Sequence, residues 1–322
     1  MHISTPVHIK SILLCAAACV LLATVAISAA DLGVVSGDAI EPAQSIQCPR
    51  TLRGGYEIED YLASVAGALG DSSQINIKVE QIGLSLKKYP ISLVSIHGRK
   101  MPDESTGGVL AIAAQHGNEP AGTVAAMRLI HQIAINGDKN LHQLLSNVPF
   151  YIIPIANPDA AQSFKRRAAN GMNMNRDWNS YSLPETQAIE RIIRRIKPDV
   201  LLDLHELTAG EPNRPYIEGV SASGKAYVTQ SVKTTFRRQG IRVPVKSSRP
   251  TSRGGRLLHR HFALKYGRPA FLVESKCPGD PKSNLTNRAN LHCAAVLAVL
   301  NELSSQKILA ANRNKAAAKP QP

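Results

Sequence analysis

Aromatic residues make up only 4% of this 322-residue chain, and there is a single Trp. A single-strand nucleic-acid binder stacks bases on aromatic platforms, so this scarcity argues against that class. Charged residues are also few, 19% against 43% apolar, which is too apolar for general disorder. Outside the N-terminus no long apolar run occurs, so a polytopic membrane protein is excluded. No CxxC pair is present, which removes a Cys-type zinc site, and no repeat of fixed period stands out. Negative charge is the scarcer sign: 24 Asp and Glu face 38 Lys and Arg, a net of +14. That balance suits anionic surroundings such as nucleic acid, anionic lipid or acidic wall polymer.

Lys10 precedes sixteen almost wholly apolar residues, Ile12–Ile27, and Ser28-Ala29-Ala30 come directly after. A charged start, a short apolar stretch and a small-residue exit describe a secretory leader. The stretch falls short of the roughly 20 residues that span a bilayer. Residues 1–30 therefore read as a signal peptide cleaved near Ala30, and 31–53 as an extended lead-in. Residues 54–305 read as one large domain, and 306–322 as a disordered basic tail. The expected destination is periplasmic or secreted, with no stable membrane insertion after cleavage. Setting aside the tail's four positive charges and the leader's one leaves +9 on the body. Cys48, Cys277 and Cys293 remain, and an oxidising compartment permits one disulfide with a residue left over, or none.

Four apolar runs of strand length occur in the body: Val109–Ala114, Phe150–Ile155, Val200–Leu204 and Ala270–Val273. Runs apolar on both faces suit strands buried under helices. Between them Ala121–Ile133, Leu183–Ile196 and Asn284–Leu303 repeat apolar residues at helical spacing. Ser182 is the expected cap of the second, Pro184 occupies its first turn, and Pro198 stops it. The alternation predicts an α/β/α sandwich with a mixed, largely parallel central sheet.

The residues at the end of each strand carry chemistry. The first run leads into Gln115-His116-Gly117-Asn118-Glu119-Pro120, the third into His205-Glu206, the fourth into Glu274. Ligands of open α/β sheets collect beyond the carboxyl ends of strands. Two imidazoles and a carboxylate, His116, Glu119 and His205, make a catalytic zinc set with a fourth position for water. Glu274 is then available as the base. Taken alone, His116 and Glu119 are equally a loop residue and a helix-start acid. A basic loop, Lys165-Arg166-Arg167 to Asn175-Arg176-Asp177-Trp178, contains arginines able to fork a carboxylate. A second, Arg249 to Arg256, either lines a cleft for acidic groups or is a solvated entry to a helix. His259 and His261 lack a third partner, so no second metal site is expected.

The blocks HGNE, NPD, NMNRDW, DLHE and FLVE, in that order, resemble the zinc metallocarboxypeptidases related to pancreatic carboxypeptidases. The resemblance spans 108–275, and the helical stretch to Leu303 fits that family's final helix. It implies one Zn2+ held by His116, Glu119 and His205, with Glu274 as general base and later proton donor. It implies Asn175 and Arg176 as the grip on a substrate's terminal carboxylate. Arg166 fits best as the arginine polarising the scissile carbonyl, with Arg167 next to it left open. Asn173 stands where the family has an Asp orienting the first His, and Asp203 is a candidate to compensate. The family's substrate-capping Tyr has no clear counterpart; Tyr216 and Tyr266 are the candidates. The compact spacing from His205 to Glu274 resembles bacterial members acting on small peptides. The implied substrate is a peptide, including peptidoglycan-type peptides, and nucleic acid is not an expected partner. Two rivals are an aspartoacylase-like deacylase of N-acyl amino acids and a non-catalytic envelope protein binding anionic polymer.

Overall fold

The computed structural model describes residues 56–68, 74–101, 107–135, 137–208, 214–221, 226–238, 241–251, 254–276 and 284–317. The expected leader and lead-in, Cys48, Cys277 and Arg253 lie outside them. In chain order the elements are α1 (Tyr56–Ala68), β1 (Ile75–Leu84), β2 (Pro90–Gly98), β3 (Val109–Ala113), α2 (Ala121–Ala134), α3 (Lys139–Leu145) and β4 (Phe150–Ile153). Then come α4 (Pro158–Gln162), a 3-10 turn (Met174–Arg176), α5 (Pro184–Ile196), β5 (Val200–Glu206) and β6 (Tyr216–Val220). The last are α6 (Ala226–Arg238), β7 (Val245–Ser248), α7 (Leu258–Tyr266), β8 (Ala270–Ser275) and α8 (Leu285–Ala317).

The eight strands form one mixed sheet in the order β1-β2-β4-β3-β5-β8-β6-β7. Its centre, β4-β3-β5-β8, is wholly parallel, and antiparallel pairs flank it. The central strands are the four apolar runs, buried along their length, as two-sided helix cover requires. Alternation assigns Val109, Ala111, Val200 and Leu202 to one face, packed on α1, α2, α3, α6 and α8. Leu110, Ile112 and Leu201 face the other, packed on α5, α7 and Trp178. The α/β/α sandwich is thus present. From β3 the chain winds outward to β4, then crosses back to β5 on β3's other side. That reversal opens a crevice beyond the carboxyl ends of β3 and β5.

Two expectations are corrected. Ser182 does not cap α5; Asp177 does so from outside the helix. Its carboxylate accepts from the N–H groups of Ser182 and Leu183, both at 2.9 Å, and from Thr186 Oγ1 at 2.6 Å. A charged acceptor with three donors outcompetes a serine hydroxyl. Second, α8 runs to Ala317, through most of the segment read as a disordered tail. Its alanines are the strongest helix formers, and they extend a helix already anchored by its buried first half. By length and hydropathy α8 could cross a bilayer, yet here it packs on α2 and α6.

Asp177 is 1% exposed. Replacing it by Ala strands these donors and should lower unfolding free energy by about 2–3 kcal/mol, with Asn intermediate, read as a shifted urea midpoint.

Candidate metal centre and active site

After β3 the chain turns through Ala114, whose φ of +53° places a non-glycine residue in the left-handed region. Asn157 braces this turn. Its backbone N–H donates to the Ala114 carbonyl at 3.1 Å and its Nδ2 to the Gln115 carbonyl at 3.2 Å. Its Oδ1 caps α4, accepting from Ala160 N–H. Asp159 of the same motif accepts from Ser85 Oγ and Lys87 N–H, tying the β1–β2 turn to α4. Gly117 comes after His116, and a Cβ there would fall 1.9 Å from the Ala160 carbonyl carbon. The glycine is required by the close approach of α4's backbone.

The turn brings His116 and Glu119 against His205 from β5, each at most 3% exposed. The Glu119 carboxylate lies between the imidazoles. His116 Nδ1 is 2.8 Å from Oε1, and His205 Nδ1 is 2.8 Å from Oε2. The ring centroids are 4.9 Å apart, and one ligand atom from each residue lies within 4.8 Å of the others. Burial opposes the charge on Glu119, but His205 and His116 overcome it and hold the carboxyl well below its ordinary range. Burial likewise opposes charge on His205, and Asp203 and Glu119 outweigh it, raising its pKa well above the usual value. His116 goes down, because burial exceeds the pull of Glu119.

The second ring nitrogens are also engaged. Asn173 Oδ1 accepts from His116 Nε2–H at 3.0 Å, as an amide in the place of a carboxylate can. Asp203 does not serve His116; its Oδ1 lies 2.9 Å from His205 Nε2. Its other oxygen faces His259 Nδ1 at 3.5 Å, and Glu218 faces His259 Nε2 at 3.6 Å. His259 is thus buried between two carboxylates. His261 is buried beside it, with Nε2 at 2.6 Å from the Tyr181 hydroxyl. Among the described residues no metal cluster besides His116, Glu119 and His205 occurs.

The neighbouring arginines separate. Arg166 Nη1 donates to Glu119 Oε1 at 2.5 Å, whereas Arg167 turns outward to the Gly171 carbonyl. Arg176 donates to the Asn175 carbonyl. Its pKa is lowered by burial, then by Arg166 and Arg256, so the second basic stretch delivers one guanidinium to this edge. Asn175 is 5% exposed, its Oδ1 accepting from Leu258 N–H and its Nδ2 3.1 Å from His205 Nε2. Glu274 is the parallel register partner of His205, and Tyr216 is the antiparallel partner of Glu274. Tyr266 instead donates to Glu190 at 2.5 Å, against α5. Cys293 is buried in α8, its Sγ 3.7 Å from the Ala125 carbonyl.

Two residues escaped the sequence reading. Gln115, fully buried, bridges Trp178 and Asp203. Glu206, next to His205 but on the opposite strand face, accepts from Ala121 N–H at 2.8 Å and Arg288 Nε at 2.5 Å. Its backbone N–H donates to Glu119 Oε2 at 3.1 Å. Position was the available signal for both, one directly before HGNE and one ending DLHE.

The fold and cluster together define an α/β protein with a two-histidine, one-carboxylate candidate metal site at a topological switch point. Residues 62–211, a little under half of the chain, match the sequence profile of the zinc carboxypeptidase family. The match takes in His116, Glu119 and His205 and ends before Glu274. The chain is 31% identical over 159 residues to carboxypeptidase 2 of Trichophyton tonsurans, covering 49% of this chain and 28% of that protein. It is 29% identical over 212 residues to carboxypeptidase SOL1 of Arabidopsis thaliana, covering 61% and 41%. The match thus spans well under half the length of these curated relatives. In fold it is similar to a metallo-carboxypeptidase from Burkholderia cenocepacia, with TM-score 0.63, 21% identity and coverage of 77% and 70%. A Pseudomonas aeruginosa metallo-carboxypeptidase gives 0.59 at 20% identity, covering 79% and 70%.

Gly117→Ala would push α4 off the turn that carries two of the three candidate ligands. We expect roughly 3 kcal/mol or more of lost stability together with loss of stoichiometric zinc, read by denaturation and metal analysis.

Proposed function

We propose that this chain is an exported, zinc-dependent metallocarboxypeptidase. It would hydrolyse the peptide bond next to a free C-terminal carboxylate, with acidic cell-wall-type peptides as its substrate class. The observation carrying this reading is the convergence of His116, Glu119 and His205, which places two imidazole nitrogens and a carboxylate around one point. That donor set fits a catalytic zinc, and each imidazole has its second nitrogen oriented by a polar partner. A zinc ion held by these three residues supplies the Lewis acidity that acidifies a water and polarises a carbonyl.

The chain's own groups divide the remaining work. Glu274, register partner of His205, takes the proton of the attacking water and returns it to the leaving amine. Arg166, at the edge of the cluster, meets the negative charge developing on the carbonyl oxygen. Arg176 forks the terminal carboxylate, and Arg256 adds positive potential beside it. Asn175 flanks Arg176 with its amide oxygen already engaged, so it can offer substrate only an N–H. The basic body and the leader-like N-terminus support export and an anionic substrate.

Glu274→Gln should retain one zinc per chain while hydrolysis falls by about 10²–10⁴-fold. Ordinary turnover by that variant would remove Glu274 from the mechanism. Arg176→Ala should raise KM at least about tenfold on peptides with a free C-terminus and leave C-terminally amidated peptides unaffected. Faster turnover of N-acyl amino acids than of any peptide would replace the carboxypeptidase reading with a deacylase.

A further inference from the structure

Behind His205 lies a buried polar run whose donors permit only one direction. An indole N–H can only donate, and that of Trp178 donates to Gln115 Oε1 at 2.7 Å. This fixes the Gln115 amide, so Nε2 is its donor, and it reaches Asp203 Oδ1 at 2.6 Å. Asn175 is fixed in the same way, its Oδ1 taken by Leu258 N–H. Three polar atoms therefore surround His205 Nε2: Gln115 Nε2 at 3.2 Å, Asn175 Nδ2 at 3.1 Å and Asp203 Oδ1 at 2.9 Å. Two are N–H donors. Only Asp203 accepts.

A neutral imidazole that offers Nδ1 to a metal must carry its hydrogen on Nε2. Without an acceptor there, the two amides would favour the opposite tautomer, with a lone pair on Nε2 and the hydrogen directed at Glu119. We infer that Asp203 is the positioning residue that makes His205 an Nδ1 ligand, with Gln115 and Trp178 holding Asp203 in place. The charged support of the centre thus sits behind the second histidine, while the first has the neutral Asn173. His259 Nδ1 stands 3.5 Å from the other Asp203 oxygen.

The inference rests on the metal reading, and zinc affinity measured by chelator competition separates the two. Wild-type protein that takes up no zinc would overturn both. Uptake that stays within twofold in Asp203→Ala would overturn this inference alone. We expect at least about 100-fold weaker binding in Asp203→Ala and about 10-fold in Asp203→Asn, where an uncharged acceptor remains. Asn173→Asp in the Asp203→Asn background should recover several-fold, because it returns charge to the other histidine; a purely structural role for Asp203 predicts no recovery. Should the Asp203 variants not fold, long-range proton–nitrogen spectra of the zinc-loaded wild-type decide. Hydrogen on His205 Nε2 is the expected result, and metal on that nitrogen overturns the assignment.

Discussion

A carboxylate with 2% exposure cannot remain ionised without partners, and Glu119 is such a group. It has two imidazole nitrogens at 2.8 Å, a guanidinium and the backbone N–H of Glu206. Only His116 shares its turn after β3; the others arrive from the end of β5 and the loop near residue 166, so the charge is satisfied only when those segments meet. The parallel pairing does most of this. Ala113 is opposite Leu204, which places His205 one residue beyond the last shared rung and His116 three beyond. The metal cluster is therefore a consequence of strand register, and a slip of one residue would turn His205 to the other face of the sheet.

Holding that convergence has local costs, and the chain meets them with polar scaffolding. Ala114 occupies a left-handed conformation that costs of order 1–3 kcal/mol, and it sits directly ahead of the cluster. Asn157 and Asp159 brace the turn from α4, while Asp177 fixes the start of α5 beneath Trp178. These are buried side chains with two or three hydrogen bonds each, so they act as pins. Glu206 does the same on the opposite face, joining the start of α2 to Arg288 on α8. The NPD block carries supports of the site.

Legibility tracked burial. The four central strands were readable because helices cover both faces, leaving continuous apolar runs. β1 and β7 were not, because their residues are mostly half-buried and their patterns mixed. The convergence of His116, Glu119 and His205 was readable because strand ends deliver it. The Asp177 cap was not, since its donors lie five to nine residues onward and Ser182 occupies the nominal position. Arg166 and Arg167 are neighbours of equal chemistry, and only the path of the loop sends one inward. The end of α8 was misread because a basic, Ala-rich segment suits a solvated tail and a helix alike; attachment to a buried helix decides between them.

The arginines give the site its direction. Arg166, Arg176 and Arg256 sit close enough that burial and the other two cations together lower the pKa of Arg176. Gathering like charges at a partly desolvated edge is unfavourable in itself, and Glu119 neutralises only the one it touches. The remaining positive potential is best relieved by an anion that can be forked, which is what a peptide's terminal carboxylate offers. On the proposed function, binding energy from that carboxylate, several bonds from the reacting carbonyl, would position the amide against Glu274 and Arg166. On that proposal the basic edge and the candidate metal cluster form one device: the arginines would supply orientation that His116, Glu119 and His205, engaged with one another, cannot.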